Sequence, residues 1–219
     1  MVNGNFGCKI NKISCLQTAI GNCEFAYSVY TCNPMHYMLY KPYGFISQFV
    51  SESRKKKVLG ELYAFAPGTM AIGRLDEDSE GLLLLTTDGK ESNRIRSKSI
   101  EKEYYVQVDG LIDEHAINLL MNGVSISIKG KSYTTLPCKA QLLHHLPPLP
   151  ERAKQIRSDR HGPTSWVSIV ITEGKFRQIR KMTAAVGYPT LRLVRVRIGV
   201  LTVGLMQPGD VIELQHIAV

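Results

Sequence analysis

A chain of 219 residues has room for one large domain or a small pair. Its 44% hydrophobic and 21% charged residues are those of an ordinary soluble protein, and no apolar run approaches the ~18 residues of a membrane-spanning helix. The formal charge of +8 favours a polyanionic partner, because each lysine or arginine set against a phosphate releases condensed counterions.

Residues 1–34 hold Cys8, Cys15, Cys23 and Cys32, and only Lys9, Lys12 and Glu24 as charges. With Cys138 the cysteines form an odd set that matches neither a CxxC pair nor a usual zinc spacing, so a reduced, cytoplasmic setting is expected. No basic region followed by an apolar signal core occurs there. Two readings stay open: an N-terminal extension of unknown role, or a stretch that precedes a functional start at Met35. The functional domain is expected over residues 35–219.

Residues 35–46 read as a strand carried into a Pro-Tyr-Gly turn, and Arg54 to Lys57 as a solvated basic loop. The apolar run at 82–85 closes at the Asp88-Gly89 turn, and 91–96 form a brief helix. Residues 104–108 are β-prone. Asp113 caps a helix that stops at Gly123, after which Val124, Ile126 and Ile128 alternate with polar residues as a half-buried strand does. Residues 147–163 carry four prolines and several cations without a hydrophobic period, which predicts a long, mobile basic loop. Residues 166–171 resume strand character. Phe176, Ile179, Met182 and Val186 then recur at helical spacing, with Arg177, Arg180 and Lys181 opposite and Gly187 as the stop. A last strand at 194–198 puts Arg195 and Arg197 on one face. Many strands and three short helices predict an α+β domain on a mixed or antiparallel sheet.

Asp76 alone would be a turn former or a solvated charge. Its context is more specific: Gly73-Arg74-Leu75-Asp76 precedes Glu77-Asp78-Ser79-Glu80-Gly81 and the run Leu82-Leu83-Leu84-Leu85-Thr86. This stretch resembles, nearly letter for letter, the catalytic motif of the RsuA-type pseudouridine synthases. Lys41-Pro42-Tyr43-Gly44, Lys102-Glu103-Tyr104-Tyr105-Val106 and the run from Glu173 through Met182 resemble other blocks of that family in the same order, over residues 35–214. Tyr40 stands where the family often has asparagine.

The resemblance implies an enzyme that isomerises uridine in ribosomal RNA without a cofactor or a metal, on the family's α+β fold with a few flanking helices. It implies Asp76 as nucleophile, attacking ribose C1′, abstracting a ribose proton or adding to the base. It assigns Tyr104 to stacking on the extruded uracil and to proton transfer at C5, and Arg180 to keeping Asp76 charged. Ile179 becomes an apolar wall of the pocket, and Arg74 a hand in flipping the base or holding the RNA backbone. Arg177, Lys181, Arg195 and Arg197 are candidate RNA contacts. Tyr105 should face the other side of its strand. Three features narrow the resemblance to a subgroup acting on 23S rRNA, naked or in a pre-ribosomal particle: no room for a separate S4 domain, the Thr164-Ser165-Trp166 segment, and the run from Val186 to Leu193. A monomer is expected.

Other features have plainer readings. Asp76, Asp78 and Glu80 imitate a metal cluster, but alternate carboxylates without a His or Asn partner are more often solvent-facing charges. His144, His145 and His161 lack the spacing of a helical zinc site. Two rival functions remain, a non-catalytic rRNA-binding factor and a metal-dependent phosphoesterase.

Overall fold

The computed structural model describes residues 33–97, 100–145, 147–156 and 161–219; the four N-terminal cysteines, Arg157 and Arg160 lie outside them. Eleven strands, three α-helices and a short 3₁₀ turn (Leu59–Glu61) follow from residue 36 onward among the described residues. Strands β1 (His36–Lys41), β2 (Met70–Ile72) and β3 (Glu80–Thr86) come first, then α1 (Gly89–Ser97), β4 (Lys102–Asp109) and α2 (Glu114–Asn122). Next are β5 (Ser125–Ile128), β6 (Lys131–Thr134), β7 (Lys139–Leu143) and β8 (Thr164–Ile171). The chain closes with α3 (Gln178–Ala185), β9 (Thr190–Ile198), β10 (Leu201–Thr202) and β11 (Val211–Leu214).

Nine strands form one sheet in the order β11-β1-β3-β9-β4-β8-β7, with β10 beside β9 and β2 beside β3. Its pairings are antiparallel except β3 with β9, which run parallel with Glu80 opposite Val194 and Gly81 opposite Arg195. Strands β5 and β6 make a separate hairpin. This is the expected α+β architecture.

Strand alternation gives the sheet two apolar faces. One carries Leu83, Leu85, Tyr104, Val106 and Leu193, covered by Ala116 and Leu120 of α2 and by Ile179 and Met182 of α3. The other carries Leu82, Leu84, Val194, Val196 and Ile198, covered by Ile95 of α1 and, near the C-terminus, by Met206 and Ile217. All seven residues of β3 are buried, so its apolar run is continuous where a half-buried strand would alternate.

Local signals act as read. The Asp113 carboxylate accepts from the Ala116 amide at 2.7 Å and caps α2, and Gly123 ends that helix at φ 92°. In β5 Ile126 is buried between exposed Ser125 and Ser127. The structure departs from the sequence reading in several places. Strands β10 and β11 lie beyond residue 198, the expected end of strand structure, and β11 forms an edge of the sheet. Helix α3 starts at Gln178, leaving Phe176 outside it and 63% exposed. The described first part of the 147–163 loop is docked on the fold: Leu149 packs on the second apolar face and the Pro150 carbonyl accepts from Arg192 at 2.8 Å.

Candidate active site

Asp76 sits in the loop between β2 and β3, four residues before Glu80 enters the sheet. Ser47 fixes the preceding residue from both sides, its hydroxyl donating to the Leu75 carbonyl at 2.8 Å and accepting from the Leu75 amide at 2.9 Å. The Gly44 amide donates to the Glu77 carbonyl at 2.9 Å, and Lys56 pairs with the Glu77 carboxylate. The Pro-Tyr-Gly turn and the basic patch thus brace the acidic loop. Ser47 carries no motif signal, and only its place in the fold identifies it.

The three alternate acids do not share one environment. Asp76 is partly exposed, with Arg177 Nη1 3.4 Å from its carboxylate. Asp78 receives two hydrogen bonds from Arg177, at 3.1 and 2.9 Å, and lies 3.5 Å from Arg180. Burial pushes the Asp78 carboxyl up, but the Arg177 hydrogen bonds and the charges of Arg180 and Arg177 outweigh it and hold the group below the usual carboxylate range. Glu80 is fully buried and takes a bidentate bond from Arg192, at 3.0 and 2.9 Å, with Arg152 at 3.4 Å. The solvent-facing reading fails for Glu80, because the first residue of β3 is inside the sheet.

Arg177 and Arg180 come from the start of α3. Arg180 donates to the Asp78 carbonyl at 2.8 Å and to the Ser79 hydroxyl at 3.2 Å, so the guanidinium touching Asp76 directly belongs to Arg177. Arg180 remains within electrostatic reach of Asp76, whose charge counteracts the downward pull of burial on the guanidinium. Arg177 adopts a left-handed backbone, φ 51° and ψ 35°, rare for a residue with a side chain.

Tyr104 and Ile179 are buried in the cluster that also holds Leu75, whereas Tyr105 packs toward the opposite face. Arg74 is exposed. Lys181 donates to the Ser127 carbonyl at 2.6 Å and stands over the Phe176 ring. Arg195 is buried beside Tyr104 in the sheet register, with Nε bonded to the Leu82 carbonyl at 2.7 Å. Arg197 is held by Glu103 and Glu101 at 2.9 and 3.1 Å. The structure therefore brings Arg177 to Asp76, puts Leu75, the neighbour of Asp76, in one cluster with Tyr104 and Ile179, and ties Arg195 and Arg197 into the sheet itself.

An open cleft of about 370 Å³ is lined by Tyr43, Gly44, Glu77, Asp78 and Arg177. Its walls are the neighbouring turns rather than Asp76 or Tyr104 themselves. The Arg152 guanidinium stacks 3.9 Å above the Tyr43 ring at this rim. Among the described residues, no group of three or more His, Cys, Asp or Glu side chains is placed to hold a metal ion, and no helix is long and apolar enough to cross a membrane.

The site is thus a loop acid met by Arg177 from the start of a helix about a hundred residues away, where the sequence reading assigns Arg180. The chain matches the family model for RNA pseudouridylate synthase over residues 35–185, and it belongs to that family of RNA-modifying isomerases. Within it, the chain is 42% identical over 176 residues to ribosomal large subunit pseudouridine synthase E of Xanthomonas campestris, covering 79% of this chain and 91% of that protein. The protein of the same name from Vibrio parahaemolyticus is 42% identical over 178 residues, 80% of this chain and 71% of that one. A solved structure, described as a crystal structure of pseudouridylate synthase, superimposes with a TM-score of 0.66 at 26% identity, covering 83% of this chain and 70% of that one.

Proposed function

We propose that this enzyme isomerises one uridine of 23S rRNA to pseudouridine, with Asp76 as the nucleophile. The reaction breaks the bond from ribose C1′ to uracil N1 and forms one from C1′ to C5. The C5 proton leaves, N1 gains a proton, and nothing is oxidised or reduced. The chemistry thus needs a placed carboxylate, a held base and exclusion of water.

The observation that carries the reading is the Asp76 carboxylate, in its family motif, set 3.4 Å from Arg177 at the mouth of a buried strand. The guanidinium supplies the opposite charge that a partly desolvated nucleophile requires. Tyr104 and Ile179, on the same side of the sheet, supply an aromatic face and an apolar wall for an extruded base. The E-type relatives support 23S rRNA as the substrate through their large-subunit name.

Asp76→Asn abolishes pseudouridine formation on a 23S rRNA transcript and leaves RNA affinity within about twofold of wild type; an active variant would sink the nucleophile. A chelator leaves turnover unchanged, whereas the phosphoesterase reading requires its loss. Mapping pseudouridines in rRNA from cells with and without the gene identifies the uridine, and an unchanged map in 23S rRNA refutes the substrate.

A further inference from the structure

Helical spacing places Phe176 on the buried side of its helix with Ile179 and Met182. The fold does the opposite. Arg177 is left-handed at φ 51°, α3 begins only at Gln178, and the Phe176 side chain is 63% exposed. A residue with a Cβ resists that backbone conformation, and such strain persists where the surroundings enforce it, often at functional sites. Here the break has two consequences. It turns the Arg177 guanidinium onto Asp76 and Asp78, and it throws the neighbouring ring outward.

The ring is exposed but braced. The Lys181 ammonium lies 5.2 Å from its centroid and is itself tied to the Ser127 carbonyl. Lys175, on the other side in sequence, stands 4.9 Å from the Tyr133 ring. Tyr63, the other exposed aromatic among the described residues, instead bonds Glu213 and packs against Tyr37 and Phe65. A protein surface laid on Phe176 would have to desolvate the flanking lysines, whereas an RNA strand neutralises them with phosphate while presenting a flat base.

From this geometry we infer that Phe176 is a stacking site for the unpaired base next to the target uridine. The inference rests on the RNA-isomerase reading above and deepens it. Consecutive Cα atoms are about 3.8 Å apart, so the ring springs from the backbone position next to the residue that meets Asp76. Extruding a uridine removes a stacking partner from its neighbour, and Phe176 replaces it. Every base has a π face, so the site contributes affinity rather than base identity.

The test uses the full chain and a synthetic RNA around the mapped uridine, measuring turnover and, separately, equilibrium binding. Phe176→Ala raises KM and the dissociation constant about tenfold while kcat falls far less, and Phe176→Trp restores both. An RNA with an abasic ribose beside the target costs wild type the same factor and costs Phe176→Ala nothing further. Wild-type affinity in Phe176→Ala, a loss confined to kcat, or equal rescue by Phe176→Leu would overturn the inference, the last because an aliphatic side chain offers apolar bulk and no aromatic face to a base. Because binding is read without turnover, an active Asp76→Asn would refute the nucleophile and leave this result to stand or fall alone.

Discussion

Asp76 and Asp78 lie on a turn closed by the Ser79 amide on the Asp76 carbonyl, Glu80 opens the strand that follows, and each acid is met by a different set of arginines. Burial separates their roles. Asp76 keeps one long ion pair and an accessible carboxylate, as a group that must meet a ligand requires, while Glu80 spends both oxygens on Arg192 inside the fold. A buried ion pair contributes little net stability, but removing one partner strands the other in a low-dielectric site. Glu80→Gln therefore lowers stability by about 3–5 kcal/mol in urea denaturation. A loss below about 1 kcal/mol would mean that Arg192 finds another acceptor, as its bond to the Pro150 carbonyl permits only in part.

At the scale of elements, the parallel contact between β3 and β9 positions the end of the Asp76 loop. Gly81 has φ +99°, and a Cβ there would lie 2.3 Å from the Arg195 carbonyl oxygen. Gly81→Ala must therefore strain the backbone and push the strands apart, costing about 2–5 kcal/mol or preventing folding; an unchanged urea midpoint would contradict this contact. Lys41, at the end of β1, has the opposite task. It is fully buried and donates from Nζ to the Pro42 and Phe45 carbonyls at 2.9 and 2.6 Å, which staples the turn that braces the acidic loop. Burial pulls its pKa down to about 7, against the upward pull of Glu80, Asp78, Asp76 and Glu77. Because the folded value lies below the unfolded one, the unfolded chain binds more protons between about 7 and the ordinary value of 10.5, and stability rises with pH across that window. The urea midpoint of wild type should climb between about pH 6.5 and 8.5, a rise that Lys41→Met flattens. Equal slopes would show that the amine is not responsible.

The whole molecule carries a formal charge of +8, yet much of its arginine is committed internally. Arg177, Arg180, Arg192 and Arg197 each pair with carboxylates, and Arg152 lies between Glu80 and Tyr43. Cations that remain exposed include Arg54, Lys55, Arg74, Lys129, Lys131 and Lys154, and the salt dependence of RNA binding should arise at such positions. Lys154→Gln should reduce the slope of log K against log salt by about 0.7–0.9, while Arg197→Gln leaves it unchanged because Glu101 and Glu103 already balance that charge. A slope that falls only for Arg197→Gln would move the RNA path to β9.

What the amino-acid sequence determined by itself was local. Asp113 and Gly123 bound α2, alternation marked β5, and the motif around Asp76 identified the family, because caps, turns and strand periods are read from neighbouring residues. The same alternation separated Tyr104 from Tyr105 before their faces were known. Only the tertiary structure decided which arginine meets which acid. Arg177 is 99 residues from Asp78 and Arg192 is 112 from Glu80, so those pairs depend on sheet order, which no local signal encodes. It likewise buried Arg195 in the sheet, paired Arg197 with Glu101 and Glu103, and put Phe176 outside its helix, because long-range pairing outweighed charge and helical spacing at those positions.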